Sequence, residues 1–215
     1  AWREDSDIPL IVPEVNLEDY TLNRLIANPN CSTIQAVLPL KALQEAFGIQ
    51  RVNYSTYQAV SGSGQKGIED LHRTQNDEEP VLYPYNISQT VIPEIDQPLE
   101  NGYTKEEQKM INETRKILHQ PALPVSATCV RVPIENGHGV SVAVQLQKEF
   151  TTEEIRECLS QFPGIQLEDD LAAHKYPTSI LARGTDMVYV GRIRKDTSLE
   201  NGLWFYTTAD NIRKG

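Results

Sequence analysis

Cysteine, histidine and positive charge are all scarce in this chain of 215 residues, and each scarcity excludes something. The cysteines number three, Cys31, Cys129 and Cys158, far apart and with no C-x-x-C pair. An odd, dispersed set makes neither a disulfide framework nor a zinc site, so no metal is expected and a reducing cytoplasm is the natural setting. Lysine and arginine total 20 against 30 aspartates and glutamates, for a net charge of −10. That balance argues against a nucleic-acid or anionic-membrane surface as partner. No apolar run is long enough to cross a bilayer, and no charged-then-apolar leader opens the chain, so neither insertion nor export is expected. What is present, 39% hydrophobic and 23% charged residues, describes a soluble globular protein of one large domain or one and a half small ones. The chain opens on Ala1-Trp2-Arg3 without a methionine and stops soon after a strand, so it is expected to be a piece of a longer protein.

Among the elements, Ile8 to Pro13 reads as a buried strand. Pro29 fixes its own φ and pushes Asn28 towards an extended conformation, so no helix runs through this point. Asn30 is a good N-cap, and Ile34, Val37, Leu38 and Phe47 follow at helical spacing; a helix over 31–47 is predicted, bent at Pro39 and stopped by Gly48. β-branched and aromatic residues predict a strand over 51–60, and 61–64 turn it into a short helix ending near Arg73. Residues 74–103, rich in Pro, Asn, Asp and Glu, read as a long excursion with one possible strand at 87–92. Thr104 and Glu107 form a capping box for a helix to about His119, and Thr151 and Glu154 a second for a helix to Phe162. β-rich runs at 125–134 and 140–147 flank a glycine-rich, hairpin-like loop, and further strands fall near 165–168, 187–194 and 203–208. Strands interleaved with a few helices, without regular β-α-β spacing, predict an α+β fold: a mixed sheet with helices covering one face.

The chemistry starts at Cys31, which the helix reading places in a first turn, among unpaired N–H groups at the positive end of the dipole. Both favour thiolate, so Cys31 is expected to be an ionised, solvent-reachable nucleophile near neutral pH. His138 is one of only four histidines and is flanked by glycines, a position that can present an imidazole to a cleft as proton donor and acceptor. Arg131 lies in a mostly apolar strand and needs an anionic partner, either an internal carboxylate or that of a bound substrate. Glu106 and Lys109, three apart on one helix, can be a simple surface pair. The string from Gly62 to Gly67 matches G-x-G-x-x-G, but the β-α-β continuation of a dinucleotide fold does not follow it. A glycine turn that lets another group approach the backbone is the better reading.

Four stretches resemble one family. They are 26–35 (Ile-Ala-Asn-Pro-Asn-Cys-Ser-Thr-Ile-Gln), 55–64 (Ser-Thr-Tyr-Gln-Ala-Val-Ser-Gly-Ser-Gly), 126–133 (Ser-Ala-Thr-Cys-Val-Arg-Val-Pro) with His138 seven residues after the arginine, and 190–195 (Val-Gly-Arg-Ile-Arg-Lys). In order and along essentially the whole chain, they are similar to aspartate-semialdehyde dehydrogenase, more to its Gram-positive-like branch than to the enterobacterial one. The resemblance implies a glyceraldehyde-3-phosphate-dehydrogenase-like C-terminal domain at 31–215, with 1–30 a remnant of an otherwise absent N-terminal Rossmann domain that binds NADP. It further implies Cys31 as the nucleophile that forms a thioester. His138 matches the acid–base residue, and Gln58 the glutamine orienting the substrate. Arg131 matches the grip on the α-carboxylate and Glu106 the partner of the ammonium group, while Lys109 and Arg3 match the pair that holds phosphate. Ser61 and Gly62 match the turn beside the nicotinamide.

The implied reaction is NADPH-dependent reduction of aspartyl-4-phosphate to aspartate semialdehyde and phosphate, ahead of lysine, threonine, methionine and isoleucine. A cytoplasmic homodimer formed through sheet faces is implied, and little turnover from the fragment alone. N-acetyl-glutamyl-phosphate reductase shares the architecture, but resembles Asn-Pro-Gly-Cys-Tyr at the nucleophile, and its acylated amine needs no Glu106. A cofactor-free thiol hydrolase using Cys31 and His138 and a non-catalytic dimerisation module complete the alternatives.

Overall fold

The computed structural model describes residues 2, 3, 5, 7–20 and 25–215. The Asn30 side chain accepts from the N–H groups of Ser32 at 2.8 Å and Thr33 at 3.2 Å. That caps helix α2 (Cys31–Phe47), and Gly48 ends it at φ +70°, a conformation costly for any residue with a Cβ. Before it lies one helical turn, α1 (Pro13–Asn16). After it come α3 (Gln65–Gln75), α4 (Lys105–Ile117), α5 (Thr152–Gln161) and α6 (Ser179–Ala182). Both capping boxes form, at Thr104/Glu107 and Thr151/Glu154.

Six strands make one mixed sheet: β1 (Ile49–Gln58), β2 (Val125–Arg131), β3 (His138–Leu146), β4 (Ile165–Leu167), β5 (Val188–Asp196) and β6 (Gly202–Ala209). The order is β2-β1-β3-β6-β5-β4, with β1 parallel to β2, β4 parallel to β5, and the other pairs antiparallel. Helices α2, α4 and α5 pack on one face. There Val37, Leu38 and Leu43 of α2 join Val52, Tyr54, Val142, Val144 and Phe205 in a closed core. Burying Tyr54 entirely leaves its hydroxyl in need of a partner, which Thr114 of α4 supplies at 2.9 Å. The opposite face carries Tyr57, Trp204 and Tyr206, partly exposed, with the two tyrosine rings 6.2 Å apart and Arg194 5.6 Å from the Trp204 ring centre. The α+β layering expected from the sequence is the one present.

Three expectations are corrected. Ile8 to Pro13 is not a strand: it makes one bridge, Leu10 to Ala27, and Pro13 then opens α1, where its missing N–H costs nothing. The runs at 125–134 and 140–147 are not a hairpin, because β1 lies between them and β2 pairs with it in parallel. The 87–92 segment gives only the bridge of Ile92 to Arg131. Otherwise the excursion is held by a small core of Val60, Leu71, Ile87 and Ile92, and by Asp70, whose carboxylate accepts the N–H groups of Val81, Leu82 and Tyr83. Among the described residues no helix is long and apolar enough to cross a membrane.

Candidate active site

Strand pairing decides which side chains meet. Parallel β1 and β2 both end at one edge of the sheet, with Gln58 in register with Arg131, and antiparallel β3 begins there with His138. Cys31, the first residue of α2, and Glu106 and Lys109 of α4 open with Gln58 and Arg131 on one cavity of about 460 Å³. Arg3, Ser61 and Gly62 line it as well, so every candidate residue but His138 is on its wall.

His138 sits behind Gly62. A Cβ added to Gly62 would stand 2.6 Å from Arg131 Nη1 and 3.2 Å from His138 Nε2, so the missing side chain is what lets both groups reach this point. The glycines around His138 do not make an open loop; it starts β3 and is fully buried. Its Nδ1 accepts the Ala59 N–H at 3.0 Å, which places the ring proton on Nε2. Burial first, and the Arg131 charge second, push its pKa down to about 3, so the imidazole is neutral at pH 7.

Cys31 reaches the cavity but is not ionised. Burial, and after it the Glu106 carboxylate, push the thiol up to about 11, while Arg131 and the N–H groups of the first turn pull the other way and lose. The expectation of a thiolate weighs the helix terminus alone; burial, and after it the carboxylate that α4 brings alongside, are the missing contributions.

Arg131 is 5% exposed and donates from Nη1 to the Ala59 carbonyl at 2.7 Å. Among the described residues no carboxylate pairs with it, which leaves a nearly buried cation facing the cavity. Glu106 is no surface residue either: 6% exposed, its Oε1 accepts from Asn30 Nδ2 at 2.7 Å and from Gln58 Nε2 at 3.2 Å. Lys109 Nζ lies 3.4 Å from Glu106 Oε2 and 2.6 Å from Asp96 Oδ2. Arg3 leans towards buried Glu113, Nη1 to Oε1 3.8 Å. Glu113 accepts the Asn30 N–H at 2.6 Å, and burial raises its carboxyl to about 7.

Asp96 and Asn211 are among the lining residues that the sequence did not single out. Asp96 comes from the excursion, and nothing in its neighbours singles it out. Asn211 follows β6; its Oδ1 accepts the Gly137 N–H at 2.9 Å, and its amide meets the Ser61 hydroxyl. The end of a strand next to a site was the available signal. The string from Gly62 to Gly67 forms a 3-10 turn leading into α3, and Gly67 packs against the Val60 carbonyl. No group of three or more metal-ligating side chains occurs among the described residues.

A family model described as "Semialdehyde dehydrogenase, dimerisation domain" matches residues 40–214. Aspartate-semialdehyde dehydrogenase of Aquifex aeolicus is 50% identical over 225 residues, covering 100% of this chain and 66% of that protein. The crystal structure of aspartate semialdehyde dehydrogenase II from Vibrio cholerae complexed with ASA superposes with a TM-score of 0.93 at 42% identity, over 100% of this chain and 66% of that one. The Candida albicans enzyme, solved with NADP, gives a TM-score of 0.76 at 26% identity, over 100% of this chain and 65% of that one. The chain thus spans about 66% of the length of the first of these relatives.

Proposed function

Because the chain belongs to the aspartate-semialdehyde dehydrogenase family, we propose that its cavity is where aspartyl-4-phosphate is reduced to aspartate semialdehyde with release of phosphate, a step towards lysine, threonine, methionine and isoleucine. The observation that carries this is the Arg131 guanidinium, buried, without a carboxylate partner among the described residues, and facing a cavity that Glu106, Lys109 and Cys31 share. A zwitterionic phosphorylated substrate has a group of opposite charge for each of the charged ones. Its α-carboxylate pairs with the Arg131 fork, its ammonium group with Glu106, and its phosphate with Lys109 and Arg3. Glu106 is buried in the wall of the cavity, which favours a free amine over the acylated amine of an N-acetyl-glutamyl-phosphate reductase.

Cys31 attacks the acyl carbon, a thioester forms as the bond to phosphate breaks, and the departing phosphate carries off the thiol proton. Gln58, held to Glu106, orients the carbonyl. The hydride comes from NADPH when bound. Ser61 and Gly62 form the rim that would meet its nicotinamide. His138 carries its proton on Nε2, buried behind Gly62 and without a partner among the described residues, which makes it the group to donate to the oxygen that becomes negative during reduction once that oxygen reaches it. The open sheet face with Tyr57, Trp204 and Tyr206 pairs two copies as a homodimer, and the unpaired thiols suit a cytoplasm.

Turnover is expected from a chain of the relatives' full length, and little from these residues alone. The test is phosphate-dependent NADP reduction by aspartate semialdehyde in both forms. In the full-length form, Cys31→Ala abolishes turnover, and Arg131→Lys raises KM about tenfold or more with less effect on kcat, because the guanidinium fork is lost. Wild-type rates in the alanine variant, or hydrolysis of an activated acyl ester by the short chain without cofactor, would sink the proposal.

A further inference from the structure

The 74–103 excursion touches the cavity wall at Ile95 and Asp96. Asp96 stands at φ +68°, left-handed backbone that an aspartate tolerates better than most residues. The Gln97 N–H holds its Oδ1 at 2.9 Å, which fixes the carboxylate and leaves Oδ2 aimed at Lys109 Nζ, 2.6 Å away. The same nitrogen is 3.4 Å from Glu106 Oε2. An alkylammonium group therefore already sits between two carboxylates on the cavity wall, and it is the protein's own.

Lys109 cannot stay there and also hold a phosphate. Its side chain is 30% exposed on a flexible stem, free to turn. If it turns, Asp96 and Glu106 are left facing one emptied position. An ammonium group has three N–H donors, and Glu106 can offer only one oxygen, since Asn30 and Gln58 occupy the other. We propose that Asp96 is a second substrate-binding carboxylate, which grips the α-ammonium group together with Glu106 once Lys109 has moved to the phosphate. This rests on the function proposed above, and it gives the excursion a role, that of carrying one recognition carboxylate to the cavity. It also makes recognition reciprocal, because phosphate draws away the cation that the substrate's amine replaces.

The experiment compares aspartate semialdehyde with its analogue lacking the amino group, in a chain of the relatives' full length. Asp96→Asn should raise KM for aspartate semialdehyde about ten- to hundredfold, the range of a charge-assisted hydrogen bond, and leave kcat/KM for the amine-free aldehyde within about twofold. Equal losses on both aldehydes, or a change confined to KM for phosphate, would show that Asp96 only holds Lys109 and would overturn the proposal. A selective effect in Glu106→Gln without one in Asp96→Asn overturns the Asp96 role alone. No selective effect in either variant overturns the ammonium assignment to Glu106 and this inference with it.

Discussion

Cys31 is a thiol whose charge state is set by neighbours that are far away in sequence. The helix N-terminus and Arg131 favour thiolate, while burial and Glu106 oppose it more strongly, which leaves the group protonated at pH 7 in the free protein. Removing the opposing charge should therefore release it. Glu106→Gln, made in a Cys158→Ala background so that the other accessible thiol stays silent, should move the midpoint of the iodoacetamide alkylation profile down by about one pH unit, the lower end of a near-neighbour charge effect. Cys129 does not interfere, since burial pushes it up to about 12. An unchanged profile would mean that Glu106 does not govern the thiol. Residue types told much at this scale: a cysteine after Asn-Pro-Asn and an arginine in an apolar strand are unusual enough to be noticed. Their ionisation was not legible, because each pKa depends on burial and on carboxylates delivered by other elements.

Helices α2 and α4 meet where Glu113 accepts the Asn30 N–H, so one carboxyl joins the start of the helix that Cys31 opens to the helix that carries Glu106 and Lys109. Its folded pKa, about 7, lies above the ordinary 4.5, because burial outweighs the Asn30 bond and Arg3. The folded protein then keeps a proton that the unfolded chain releases, so this group's contribution falls as pH rises from 4.5 towards 7. Glutamine preserves an acceptor for Asn30 and cannot ionise. Relative to wild type, Glu113→Gln should be more stable at pH 8 than at pH 5, by up to about 2–3 kcal/mol. Urea unfolding at the two pH values measures it; a difference independent of pH refutes it. His138 has the opposite slope, losing stability as pH falls below 6.5, but it is present in both proteins and cancels. Element boundaries were largely legible, since caps and capping boxes are bonds between residues two and three apart. Ile8 to Pro13 was misread because apolar content alone does not tell a strand from a buried connector.

The whole molecule is one sheet with a covered face and an open one, and the open face should join two copies. Tyr57→Asp puts a charge on that open face, where pairing of two copies would desolvate it without a partner. Sedimentation should show a dimer for wild type and a monomer for the variant, with the same circular dichroism; a dimeric variant places the interface elsewhere.

From the residues alone came the α+β class, the starts of α2, α4 and α5, the candidate groups and the family, because these rest on local chemistry and on motifs that keep their spacing. Only the folded chain decided that β1 lies between β2 and β3, that His138 is buried behind Gly62, that Cys31 holds its proton and that Asp96 arrives beside Lys109. The reason is range. A cap or a turn is closed by neighbours, whereas strand order, burial and ion pairs such as Asp96 with Lys109 join segments whose meeting no local pattern encodes.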